Sequence, residues 1–137
     1  MADEPQVVVE RDDVRVMFKR VADEQKAIEG AFRTVEDAVG SLRGRKFYGV
    51  FDDDAHEYRA CVEIRDDDDP DALGLEVGTL PGGRYARVRL EGEPPALYRR
   101  IAPSFERLSA RPDRDPGRHG IEFYRRHDAV DLLLPIA

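Results

Sequence analysis

The sequence predicts a single α+β domain over residues 1–137, an antiparallel sheet with two helices packed on one face. Three observations carry that expectation. Apolar residues alternate with polar ones along several short runs, whereas two longer stretches repeat every three or four positions. The order of these segments then occurs twice, over about residues 7–65 and again over about 75–136. Strand side chains alternate between faces and helix side chains recur near 3.6 residues, so the period separates the two element types. Each half reads β-β-α-β-β, a pattern that suits an open sheet with its helices segregated to one side.

The first half begins with the apolar run Val7-Val8-Val9 and a longer extended segment from Val14 to Val21. Ile28, Phe32, Val35, Val39 and Leu42 follow in steps of four, three, four and three, which draws one apolar stripe along a helix. Gly40 and Gly44 mark its end. Lys46 to Asp52 and Tyr58 to Arg65 read as two strands joined by an acidic turn, and the stretch Asp66 to Asp71 links the halves.

In the second half, Leu75 to Leu80 is extended and Pro81-Gly82-Gly83 turns the chain. Arg84 to Glu91 alternates, with Tyr85, Arg87 and Arg89 on one face and Ala86, Val88 and Leu90 on the other. Pro94-Pro95 opens a helix carrying Leu97, Ile101, Phe105 and Leu108. Pro103 lies inside it and predicts a kink or break, because it removes a donor and crowds the preceding turn. Gly120 to Arg126 and Val130 to Ile136 complete the set of strands.

Composition narrows the function classes. The net charge is −7, and no unopposed cluster of cations is present, so direct nucleic-acid binding is not expected. Nor is there room for a helix-turn-helix beside the sheet. No apolar run approaches the roughly 18 residues that a membrane-spanning helix needs. The start MADEPQ has no apolar core of a secretory signal. Cys61 is the lone cysteine, which fits a reducing compartment and a cytoplasmic location. Nineteen arginines against three lysines, beside 17 Asp and 12 Glu, suit a salt-rich cytosol, though a GC-rich genome gives the same skew.

Several familiar chemistries lack their motifs. His56, His119 and His127 have no metal-ligand spacing, so no metal and no cofactor are expected. Asp52 to Asp54 and Asp66 to Asp69 lack the glycine and closing Glu of a calcium loop and read as solvated turns. Cys61 reads as a small packed thiol. Phosphate-binding loops, dinucleotide fingerprints and serine elbows do not occur.

A series of segments, in order, resembles the GyrI-like (gyrase-inhibitor-like) family, which also supplies effector-binding parts of AraC-type and multidrug-responsive regulators. Phe47-Tyr48-Gly49-Val50-Phe51-Asp52 is similar to its "yGvyyD" strand, and Tyr58-Arg59-Ala60-Cys61-Val62 to the strand that follows. Gly74-Leu75 with Leu80-Pro81-Gly82-Gly83-Arg84-Tyr85-Ala86 resembles "gl…ipgGrYAv". Glu91-Gly92 with Leu97 to Phe105 resembles the family's helix, Glu122-Phe123-Tyr124 its "fE.Y", and Leu134-Pro135-Ile136 its closing "iPi". The chain departs from the pattern in having no tryptophan, with Phe105 nearest to that place. The stretch after "fE.Y" is also cut to Arg125-Arg126-His127-Asp128-Ala129.

The resemblance implies a ligand cleft between the halves, a carboxylate at its floor and rings around it. Glu122 matches the carboxylate. Strand alternation puts Glu122 and Tyr124 on one face and Ile121 and Phe123 on the other; the expectation is that the latter pair anchors under the helices. Tyr48, Phe51, Tyr58, Tyr85 and Phe105 are the candidate rings, although aromatic residues on strands equally serve cores. A poorly hydrated carboxylate among ring faces favours a cation, so a small lipophilic or cationic molecule is the expected partner. Two alternatives stay open. One is a hydrolase of strained cyclopropane electrophiles, with Glu122 as general base and Tyr124 assisting. The other is an inhibitor of DNA gyrase acting through protein contact.

Overall fold

The structure, a computed structural model, describes residues 4–137. Its elements are β1 (Gln6–Arg11), β2 (Val14–Ala22), α1 (Gln25–Val39), β3 (Phe47–Asp52), β4 (Glu57–Glu63), α2 (Pro70–Leu73), β5 (Glu76–Leu80) and β6 (Gly83–Glu91). They continue with α3 (Ala96–Arg99), α4 (Ile101–Ser109), β7 (Ile121–Arg126) and β8 (Ala129–Pro135). The fold class is α+β with antiparallel strand pairing. Among the described residues eight strands are seen where eight were expected, and their bounds differ from the expected ones by a residue or two. No helix among the described residues is long and apolar enough to cross a membrane.

The chain divides into two compact units: Asp13–Pro81, and the residues up to Asp12 together with Gly82–Ala137. In the unit Asp13–Pro81 the strand order is β3-β4-β2-β5. Met17 lies opposite Val62, itself opposite Phe47, which sets one face; Phe18, Cys61 and Tyr48 set the other. Helix α1 packs over β2 and β4 on the Met17 face, where Ala31 and Val35 are buried with Tyr58, Ala60 and Val62. Ile28, Phe32 and Val39 of the expected stripe pack there too. Leu42 does not: Gly40, at φ 73°, ends the helix with its N–H on Glu36 O, and Leu42 is left 46% exposed. That backbone conformation is one that glycine adopts at little cost.

The linker is more ordered than the acid-rich sequence suggests. Asp66 and Asp67 are exposed, as solvated turn residues should be. Asp68, however, accepts two hydrogen bonds from Arg45, at 2.6 and 2.7 Å, and the two side chains are 7% and 6% exposed. It also accepts from the Arg65 N–H at 2.8 Å. The guanidinium of Arg45 foremost, and the backbone donor after it, hold its carboxyl down to about 2. Asp69 caps α2 by accepting from the Ala72 N–H, Pro70 opens the turn, and Gly74 closes it in the left-handed conformation. The reading of this run as solvated therefore holds for the exposed Asp66, Asp67 and Asp69 and is corrected for Asp68.

In the other unit the strand order is β1-β6-β8-β7. Val88 pairs with Leu132 and Leu90 with Val130, giving an apolar face that also carries Ala86 and Leu134. Helix α4 packs on β6 and β8 and buries Phe105 and Leu108. The expected second helix is present but divided at Arg100, where α3 stops and α4 begins. The interruption falls in the turn before Pro103, which its ring crowds. With the helix restarting at Ile101, Pro103 falls in a first turn, where a helix needs no N–H.

The repeat read in the sequence is not the unit of contact. β1, first strand of the first half, pairs with β6 in register Val7↔Arg87 and Val9↔Tyr85. β5, first strand of the second half, pairs instead with β2, Val16 facing Gly78. Each half thus supplies its opening strand to the unit built mainly from the other.

Candidate functional site

Glu122 and Tyr124 both leave β7 on one face, and the register decides which. Glu122 lies opposite Leu132, which lies opposite Val88; Tyr124 lies opposite Val130. Directly opposed residues of antiparallel strands share a face, so this is the apolar face of the sheet. Tyr98 of α3 meets Tyr124 edge-on, with ring centroids 6.2 Å apart at 79°. The helical side therefore belongs to Glu122 and Tyr124, and the expectation that Ile121 and Phe123 anchor beneath the helices is overturned. Its physical cause was already present in β6: the row Ala86, Val88, Leu90 needs cover from water, while the row with Arg87 and Arg89 does not.

Glu122 is 7% exposed. Burying a carboxylate is costly unless donors reach it. The Tyr124 hydroxyl donates to Glu122 Oε1 at 2.6 Å, a short hydrogen bond. Tyr98 itself is 45% exposed. A solvent-facing ring, a half-buried phenol and a buried carboxylate thus follow one another inward. Such a series offers ring faces to a cation on the outside and an anionic group within.

The other candidate rings have varied settings. Phe105 is on the buried side of α4, in the same unit as Glu122. Tyr85 is fully buried there, with the Arg118 guanidinium 4.9 Å from its ring centroid. Arg118 also donates to the carbonyls of Gly82, Arg84 and Ile136. Tyr48, Phe51 and Tyr58 belong to the unit Asp13–Pro81. Tyr58 packs beneath α1, 6.0 Å from Phe32 and at 67° to it, and Phe51 joins the same core. Tyr48 is buried on the opposite face, beside Cys61. The structure brings Glu122, Tyr124 and Tyr98 together; Tyr98 was missed because it lies off the apolar stripe Leu97, Ile101, Phe105 and Leu108, which marks it only as exposed.

A second charged group also escaped the sequence reading. Asp131, 3% exposed, sits on the face of β8 away from Leu132. Arg89 donates to it twice, at 2.8 and 3.2 Å, and Arg125 approaches to 3.7 Å. The alternation Tyr85, Arg87, Arg89 was legible, but the run Ala129 to Pro135 gave no hint that its single carboxylate meets Arg89 of that row. Cys61 is wholly buried, and burial pushes its thiol up to about 12. Among the described residues, no three His, Cys, Asp or Glu side chains cluster as metal ligands.

Sequence comparison finds no matching family model and no curated protein with a significant match. Solved structures do share the fold. An integron cassette protein from the mobile metagenome of Vibrio cholerae superposes with a TM-score of 0.76 at 16% identity, over 96% of this chain and 95% of its own. SAV2435, solved bound to tetraphenylphosphonium, gives 0.65 at 11% identity, over 97% and 94%. A hydrolase from Listeria innocua gives 0.57 at 12% identity, over 100% and 94%. At such identities the likeness is one of fold: this chain has the α+β architecture on which a ligand-bound protein and a hydrolase are both built.

Proposed function

We propose that the protein binds a small lipophilic cation, using the Glu122 carboxylate as counter-charge and the Tyr98 and Tyr124 rings as its aromatic wall. The observation that carries this reading is the 2.6 Å bond from Tyr124 to a Glu122 that is almost entirely withdrawn from water. A carboxylate in such a medium gains more from a cation than it would at a wet surface. Ring quadrupoles add to the attraction, and apolar substituents on the cation would bury area against the same rings. The fold shared with SAV2435, solved with tetraphenylphosphonium, supports the choice of ligand class.

Thermal unfolding and calorimetry with tetraphenylphosphonium test it. Binding at a hundredfold excess over the dissociation constant should raise stability by roughly 2.7 kcal/mol. Glu122→Gln, nearly isosteric, should abolish the effect while leaving the fold intact. No shift in the unaltered protein, or the same shift in the variant, rules the reading out.

The Tyr124–Glu122 bond also favours a second reading. A carboxylate paired with a phenol can act as general base and proton donor in a hydrolysis, and a Listeria innocua hydrolase shares the fold. Product formation lost in Glu122→Gln, with binding retained, would select this reading over simple capture.

A further inference from the structure

The face of β6, β8 and β7 turned away from Glu122 concentrates charge of the sign that the chain as a whole lacks. Arg87 and Arg89 stand two residues apart on β6, Asp131 pairs with Arg89 from β8, and Arg125 comes from the end of β7. Arg11 joins them from β1: its guanidinium carbon is 5.5 Å from the ring centroid of Phe123. Since β1 and β7 end this unit's strand order, side chains from its two extremes meet across this face. Two guanidinium groups, those of Arg89 and Arg125, thus reach one buried carboxylate, with Arg87 and Arg11 on the same face, in a chain of net charge −7. Glu91 lies further along the same row of β6, and Arg126 reaches it at 3.3 Å.

One carboxylate charge on Asp131 stands against the four guanidinium charges of this face. Its two oxygens are engaged by Arg89 at 2.8 and 3.2 Å, leaving Arg125 at the longer 3.7 Å. Arg87 Nε is buried and has no hydrogen-bond partner. Buried donors are paired in nearly all folded proteins, by protein atoms or by ordered water, so an orphaned guanidinium nitrogen marks a place where an acceptor, water or anion, is accommodated. Arg89 and Arg125 remain reachable, with side chains 36% and 34% exposed. Guanidinium groups hold their charge and match planar oxyanions in two-point contacts.

We infer that this face is a binding site for the carboxylate or phosphate of a small organic anion, received by Arg87 and Arg125 beside the Arg89–Asp131 pair, with its apolar body against Phe123. Asp131 fixes Arg89 and keeps the site from carrying four unopposed charges. The anion supplies the acceptor that Arg87 Nε lacks. This site stands apart from the Glu122 face in charge and position, so the two can fail separately.

Benzoate and inorganic phosphate, titrated into the full chain by calorimetry with phenylalanine-ring NMR as a second readout, decide the matter. Benzoate should bind and shift the Phe123 ring signals; phosphate should compete with it if charge alone is recognised, and should not if the ring contact is required. Arg87→Met keeps the aliphatic stem and removes the donors. It should weaken benzoate by about tenfold, the loss of one charge-assisted contact, while holding or raising the melting temperature. Arg33→Met, on the exposed side of α1, is the control and should change nothing. Absence of binding by both probes, or equal weakening in the two variants, overturns the proposal.

Discussion

Tyr124 and Glu122 stand two residues apart on one strand face, and the phenol of the first donates to the carboxylate of the second at 2.6 Å. Tyr124→Phe removes that donor while keeping the ring that meets Tyr98. A buried acceptor deprived of one hydrogen-bond donor costs about 1–3 kcal/mol. The expected outcome is a loss of that size in urea-unfolding stability, without a change in the slope of the transition. Unaltered stability would mean that the bond contributes nothing net.

Asp68 predicts where acid begins to weaken the unit Asp13–Pro81. Its carboxyl is lowered from 3.8 to about 2 by Arg45. A folded value below the unfolded one contributes stability that is complete above the unfolded value and is lost as pH falls toward the folded one. The window is therefore from about pH 4 down to about pH 2. Asp68→Asn should cost about 3 kcal/mol at neutral pH, since Arg45 is left buried without its counter-charge. The variant should also show a flatter stability profile across that window, measured by denaturant titration at stepped pH.

Cys61 should be inert. A thiol displaced to about 12 is protonated at any physiological pH, and its sulfur is wholly buried, 3.6 Å from the Arg59 carbonyl. Iodoacetamide at pH 8 should leave the native protein unmodified by mass spectrometry and alkylate it fully in denaturant. Modification of the native chain at the rate of a free thiol would contradict the described packing.

What was legible in the sequence follows the range over which each force acts. The α1 stripe up to Val39, its stop at Gly40 and the turn at Pro81-Gly82-Gly83 depend on neighbours a few residues away, and there sequence and structure agree, whereas Leu42 lies past that stop. The helix break expected from Pro103 lies at Arg100, in the turn before it, because a restart at Ile101 places Pro103 in a first turn that tolerates it. The face of Glu122 needed information from three strands at once: alternation fixes which residues share a side, while only the apolar row of β6 and β8 tells which side the helices cover. The pairs Arg45–Asp68 and Arg89–Asp131 bridge 23 and 42 positions of chain, beyond the reach of any periodicity. Tyr98 illustrates the opposite limit: its exposure was foreseeable, and its ring partner was not.

The crossing of β1 into the sheet of β6 makes the two units unequal in how they can be assembled. The unit Asp13–Pro81 is one uninterrupted stretch of chain, nested like an inserted cassette between β1 and β6 of the other. During synthesis it can close as soon as β5 emerges, while Val7, Val8 and Val9 wait for a strand not yet made. Deleting the first twelve residues would spare the nested unit and strip an edge from the one that holds both Glu122 and Asp131. The beginning of the chain thus governs a region encoded near its end.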